Sequence, residues 1–276
     1  MLMSKLNYKN KNLQVLISTM NRSNLEFLES IFVNNNISNS LITIINQTKK
    51  NTISCDNNKS IQIFNSSQFG LSNSRNLAIK HSTNDYCLIA DDDVVYVKDF
   101  EKIILSEFHK NPSADIITFQ MKDDNDNYFK NYPNIFKHNL KSISSVNSVV
   151  IAFKRESVIN NNLEFNTLFG LGSYFPTGEE YIFLRDALNK KLNIFFCKQV
   201  ILSHKTISSG KKVGNNNIIF ARAAIFFKYY SFFSLFKLAH HILLLYKLDY
   251  INFSQIIAKY FIGLNGIIKY LKSNDE

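Results

Sequence analysis

Tryptophan is absent from this chain of 276 residues, and proline (3), glycine (8) and cysteine (3) are scarce. Asparagine, lysine, isoleucine and phenylalanine are heavily used instead, the residue usage of an AT-rich genome, so a single Asn or Lys carries little weight. Cys55, Cys87 and Cys197 show no paired spacing and offer no disulfide framework. Cys87 and Cys197 sit inside apolar runs and read as buried thiols of a reducing compartment. The opening "MLMSKLNYKNKN" lacks the apolar core of a signal peptide, which predicts a cytoplasmic protein. No internal repeat is present, and no charge-free apolar span of about 18 residues exists.

What is there begins with 45% hydrophobic residues, ample for a core in one large domain or a domain with an appendage. The formal charge of +10 is unevenly spread. Met1 to His204 carries 22 Lys/Arg against 19 Asp/Glu, whereas Lys205 to Glu276 carries 10 against 3. A basic, aromatic-rich final quarter points to an anionic surface. No helix there shows a separate basic face for phosphates, which argues against nucleic acid.

"LQVLIS", "LITIIN", "IQIF" and "YCLIA" are short apolar runs, with helical spacing in "LEFLESIFV" and again after "NSSQFGLSNSRN". "DIITFQM" and "SVVIAF" follow, separated by a polar, acidic stretch that reads as a loop. "LNIFFC" and "VILSHK" supply two more segments. Strands alternating with helices predict a mostly parallel α/β sheet. Such sheets bind ligands beyond the carboxyl ends of their strands, where Thr19, Asn46 and Asp91 to Asp93 all fall. Beyond Lys205 the run "IIFARAAIFFKYYSFFSLFKLAHHILLLYKL" is apolar on almost every face but interrupted by Lys228, Lys237, His240, His241 and Lys247. It reads as helices lying against a bilayer surface, or else packed as core on the preceding domain.

The aspartate run "DYCLIADDD" is the sharpest signal. Adjacent carboxylates repel, so either water solvates them or a cation neutralises them. In a solvated turn they carry no chemistry. On an extended segment Asp91 and Asp93 share a face and converge on one hard divalent cation, Mg²⁺ or Mn²⁺.

The order "VLISTMNR", "GLSNSRNLAIKHSTNDYCLIADDD", "FGLGSYFPTGEEYIFLRDALNKK" and "VILSHKTISSG" resembles the GT-A glycosyltransferases of family 2 over about residues 13 to 210. The resemblance implies a GT-A fold: an α/β catalytic domain with a mostly parallel central sheet flanked by helices (1–210), then a C-terminal helical appendage (211–276). It implies a metal-dependent, inverting glycosyltransferase that takes a nucleotide-sugar donor. The acceptor would be a glycan or a lipid-linked saccharide in surface polysaccharide synthesis, at the inner face of the cell membrane.

Residue by residue, Asp91 and Asp93 match the family's metal- and sugar-nucleotide-binding aspartates, with Asp92 between them. Arg75 and Asn76 match a donor-positioning pair. Thr19, Asn21, Arg22, Asn46, Gly170 and Gly172 fall in the donor-binding segments, and His204 stands where relatives carry a histidine near the metal. Glu179 and Glu180 match the acidic pair that supplies the catalytic base, with Glu180 the preferred choice. This chain departs from the family in having Glu for Asp at the second acid, and "NQTKKN" where a base-contacting acid is usual. A capping role is the bland reading of Glu179 and Glu180. Lys205, Lys211 and Lys212 read as a solvated charge run, and Arg185 and Asp186 as structural. His240 and His241, being adjacent, lie on different faces.

Two other classes compete. A nucleotidyltransferase on a related core needs a Gly-rich loop after the first strand, which "STMNRSN" does not provide. A non-catalytic glycan- or membrane-binding protein would have no need of acids at 91, 93, 179 and 180.

Overall fold

The computed structural model describes residues 13–54, 60–205 and 214–274. The N-terminal twelve residues, Cys55, Lys211, Lys212 and the expected 210/211 domain boundary lie outside them. The chain divides into two units. The first takes the residues through Phe69, then Asn73–Glu164 and Phe183 to the end of the last strand. The second takes Gly70–Ser72, Phe165–Ile182 and the C-terminal helices.

In the first unit, β1 (Leu13–Met20), β2 (Leu41–Gln47), β3 (Ile61–Ser66) and β4 (Tyr86–Asp91) pair in parallel in the order β3-β2-β1-β4. β1 and β4 are sealed: Val15, Ile17, Leu88, Ile89 and Ala90 are fully buried. That double-sided burial explains why both read as unbroken apolar runs. The sheet continues through β7 (Ile151–Lys154), β6 (Ile116–Lys122), β8 (Ile194–His204) and β5 (Val94–Tyr96). β7 is antiparallel to both β4 and β6, and β5 to β8, so the eight-stranded sheet is mixed, with its parallel half at one end.

Two strands differ from expectation. Ser148–Val150 is a 3-10 turn and β7 starts only at Ile151. β8 is one strand where two segments read from the sequence. Lys198 and Gln199 are exposed in its middle, where the pairing with β6 shifts register, and the strand carries on through the irregularity.

α2 (Leu71–His81), α3 (Phe100–Lys110) and α4 (Arg155–Asn160) follow strands, as does the short α1 (Phe27–Ile31). α3 buries Phe100, Ile104 and Phe108 at i, i+4 and i+8, a single stripe against the sheet. Tyr96 stacks on Phe100 at 4.0 Å between ring centroids and meets Phe32 at 5.5 Å. Each such ring, fully removed from water, stabilises the fold by about 2 kcal/mol. Cys87 and Cys197 are buried free thiols, and burial pushes the Cys87 thiol up to about 12.

The second unit is helical. α6 (Asn216–Tyr230), α7 (Ser234–Lys247) and α8 (Ile256–Asn274) enclose a core of Ile219, Ala223, Leu238, Ile242, Leu245 and Ile267. A second core joins Phe169, Phe175, Ala221, Ala224 and Tyr270. Two glycines of α8 set the spacing. A methyl added to Gly266 would sit 2.2 Å from the carbonyl oxygen of Phe220, and one on Gly263 would sit 2.5 Å from Leu238. α6 and α8 therefore meet backbone to backbone. α5 (Glu179–Asn189) contributes its first turn to this unit and its remainder, with buried Phe183, Leu184 and Ala187, to the first.

Candidate active site

The three aspartates stand at the carboxyl end of β4. The register pairs Ser18 with Asp91 and Thr19 with Asn46, so the ends of β1, β2 and β4 share one rim, as the strand pattern predicts. Only Asp91 is in the strand, however. Asp92 and Asp93 form the turn into β5, so the extended-segment argument for a shared face stops at Asp91.

The turn hands each carboxylate to a different partner. Asp91 meets Nη2 of Arg75, which donates to its Oδ1 at 3.1 Å and to Ser148 Oγ at 2.8 Å. Asp92 Oδ2 accepts from Thr19 Oγ1 at 2.5 Å and from Arg22 Nε and Nη2 at 2.9 and 2.8 Å. Asp93 Oδ1 lies 3.2 Å from His204 Nε2. Two arginines thus meet two of the three carboxylates and a histidine meets the third.

Asp93 is the most open of the three, with 47% of its side chain exposed. Hydrogen bonding to His204 holds its carboxyl below the usual range, with burial opposing, and the same bond raises His204. His204 Nδ1 is 2.8 Å from the carbonyl oxygen of Lys205, which can only accept, so Nδ1 carries the proton. Nε2, the other ring nitrogen, then faces a carboxylate with a lone pair unless a proton or a cation lies between them. Carboxylate and imidazole together suit a divalent ion that keeps waters and phosphate oxygens in its shell. Among the described residues no group of three His, Cys, Asp or Glu side chains converges as a complete protein cage.

The other candidates separate. Asn46 is fully buried: its Nδ2 faces Arg22 O, Asn51 O and Asn65 Oδ1 within 3.0 Å, and its Oδ1 accepts from Arg22 N at 3.1 Å. That amide ties the loops after β1 and β2 together and presents no open edge to a base. Asn21 is exposed at φ +54°, with its N–H bonded to Gln47 O. Asn76, one residue after buried Arg75, lines a cavity of about 500 Å³ with Gln68, Lys80 and Arg155, and none of the three aspartates lines it.

Glu179 and Glu180 open α5 in the second unit. Glu179 is buried, while Glu180 is half-buried. Gly170, at φ +109°, makes room: a methyl there would lie 3.3 Å from the Glu179 carboxyl carbon and 3.2 Å from Ser72 Oγ. Gly172, at φ +76°, faces Gly70. Leu71 N–H donates to Leu171 O and Ser72 Oγ to Phe169 O, stapling the start of α2 to this glycine loop. Sequence reasoning misses Ser148 and Asn65, for neither carries a pattern; only tertiary placement brings them to Arg75 and Asn46.

A model of glycosyl transferase family 2 matches residues 6–183. The chain belongs to glycosyl transferase family 2. It is a glycosyltransferase, and the mixed sheet with its flanking helices is the GT-A fold. No curated protein matches it. Among solved structures, S. aureus TarS 1–349 aligns with a TM-score of 0.60 at 12% identity, over 94% of this chain and 80% of that one. The same fragment in complex with UDP-GlcNAc aligns with a TM-score of 0.56 at 12% identity, over 94% and 81%. A longer S. aureus TarS structure gives a TM-score of 0.54 at 13% identity, over 78% of this chain but 40% of that one, so this glycosyltransferase spans less than half of it. At these identities the likeness is one of fold.

Proposed function

We propose that this glycosyltransferase moves a sugar from a nucleoside-diphosphate sugar to a hydroxyl of a glycan or lipid-linked saccharide, with inversion, in the building of a surface polysaccharide at the inner face of the cell membrane. The observation that carries the reading is the aspartate turn on the β4 rim, with Asp93 and His204 side by side, in a chain of this family. The solved fold relative bound to UDP-GlcNAc makes UDP-sugars the first donors to try.

In the proposed reaction the acceptor hydroxyl oxygen attacks the anomeric carbon as the bond to the diphosphate oxygen breaks. The hydroxyl proton passes to Glu180, a half-buried residue where Glu179 is buried. Asp93 and His204 would hold Mn²⁺ or Mg²⁺, which when bound supplies Lewis-acid stabilisation of the leaving diphosphate. Asp91 and Asp92, fixed by Arg75 and by Arg22 with Thr19, keep the turn in place for the donor. Asn46, Asn21 and the Gly170–Gly172 loop act as positioning elements.

Thermal-shift measurements with a panel of UDP-, GDP-, dTDP- and CMP-sugars, with and without Mn²⁺, test the reading. A true donor at a hundred times its Kd stabilises by about 2.7 kcal/mol. A panel in which no sugar nucleotide raises the melting temperature or is turned over, with or without metal, overturns it.

A further inference from the structure

The helices of the second unit leave a packing question open. α7 buries Ser234, Leu238, His241, Ile242 and Leu245 along one stripe. Directly opposite, at i, i+4, i+7 and i+11, stand Phe236, His240, Leu243 and Lys247, all exposed. His240 and Lys247 suit water, but Phe236 and Leu243 do not, and Leu235 and Leu244 beside them are exposed as well, where a face turned permanently to water carries polar groups. Just before α7, the 3-10 turn Ser231–Phe233 presents Phe232 at 81% and Phe233 at 74% exposure, and Phe236 follows at 75%. Past the other end of α7, exposed Tyr246 and Phe253 meet with ring centroids 5.9 Å apart.

Charge says what covers this face. Residues 214–274 hold seven Lys and Arg and a single acid, Asp249. Lys237 lies over the Tyr230 ring at 4.1 Å and Lys228 over Tyr229 at 5.4 Å, so cations border the phenylalanines. A second copy pressed face to face would set lysine against lysine. An anionic bilayer takes the rings into its acyl boundary and the ammonium groups at its headgroups.

The run 216–247 is long enough by count to cross a membrane, and its most apolar stretch of 18 residues has a mean hydropathy of 1.3. Ser231, at φ +47°, breaks it into α6 of 15 residues and α7 of 14. Each piece is about 22 Å long, against a hydrocarbon core of about 30 Å. The geometry therefore favours lying in the interface over spanning it.

We propose that Ser231–Lys247 is a monotopic lipid anchor: Phe232, Phe233 and Phe236 enter an anionic bilayer, and Lys228, Lys237 and Lys247 engage its acidic headgroups. This rests on the membrane placement proposed above and names its element; the transfer chemistry does not depend on it.

The test floats the full chain with phosphatidylcholine vesicles, with and without one-third phosphatidylglycerol. The wild type binds the anionic vesicles at least about tenfold more tightly. Combined Phe232→Ser, Phe233→Ser and Phe236→Ser weakens that binding by about tenfold or more. Combined Lys228→Glu, Lys237→Glu and Lys247→Glu removes the preference for anionic lipid. In both variants the donor-induced thermal shift stays as in the wild type, which shows that the fold is intact. The anchor is overturned if the wild type stays unbound, or if the phenylalanine variant floats as the wild type does. It is equally overturned if sedimentation velocity without lipid finds a dimer that the phenylalanine variant dissolves. Flotation intact with no transfer to any acceptor would count against the enzymatic reading alone.

Discussion

His204 Nε2 and Asp93 Oδ1 lie 3.2 Å apart, while Nδ1 of the same ring is committed to the Lys205 carbonyl. The pair is an ion pair when the ring holds two protons and an incomplete metal site when it holds one. Metal and proton therefore compete for one lone pair. Asp93→Ala is expected to abolish the Mn²⁺-dependent part of donor binding, and His204→Ala to weaken it by about tenfold or more. Mn²⁺ titration by calorimetry, with and without the donor, reads both. Unchanged Mn²⁺ affinity in both variants would remove this pair from the metal site.

Glu180→Gln is expected to leave donor affinity intact and to lower the transfer rate by about 10²- to 10⁴-fold, the usual share of a general base. Glu179→Gln, at a buried position, is expected to act on stability more than on rate. Steady-state kinetics beside thermal melts separate the two, and normal turnover in the Glu180 variant would refute the base assignment.

Arg75 is 1% exposed and donates to Asp91 and Ser148. Arg75→Met should cost about 2 kcal/mol, below the full loss of a buried pair because Asp91 is partly solvated. Chemical denaturation measures it. Donor affinity should fall as well, since the turn loses one of its three supports.

Gly170→Ala places a methyl where φ is +109° and where Glu179 and Ser72 already stand. A cost of about 1–3 kcal/mol is expected from the backbone conformation alone. A melting temperature equal to the wild type's would show that the loop relaxes freely.

His138 is buried between Thr118 Oγ1 at 2.7 Å and Ser142 Oγ at 3.0 Å, and burial lowers its pKa to about 4, with Lys130 adding to the shift. The unfolded chain binds this proton near 6.5 and the folded chain does not. The contribution is therefore whole above about pH 6.5 and is lost as pH falls towards 4, on the order of 3 kcal/mol. Unfolding free energies across that range should fall less steeply in His138→Gln than in the wild type.

The buried parallel strands are legible in the sequence because burial on both faces leaves one continuous apolar run, as in β1 and β4. β8 is not, because exposed Lys198 and Gln199 interrupt its pattern while backbone pairing continues past them. The aspartates are legible as a group, but their partners are not. Arg22 lies 70 residues from Asp92, and no spacing links them. Asn46 shows the same limit: an amide at a strand end advertises a ligand, and only its saturated hydrogen bonds reveal a brace. Glu179 and Glu180 look alike in the sequence and are told apart by burial.

The absence of side chains at Gly266 and Gly263 has a mechanical outcome. With Leu238 seated on Gly263 and the Phe220 carbonyl against Gly266, a pull on the tip of α7 reaches α8 and then α6 with no compliant layer between. The three helices would carry such a load as a lever carries it, and the helical unit, moored at Phe232, would keep one tilt of its own instead of swinging as if on a string.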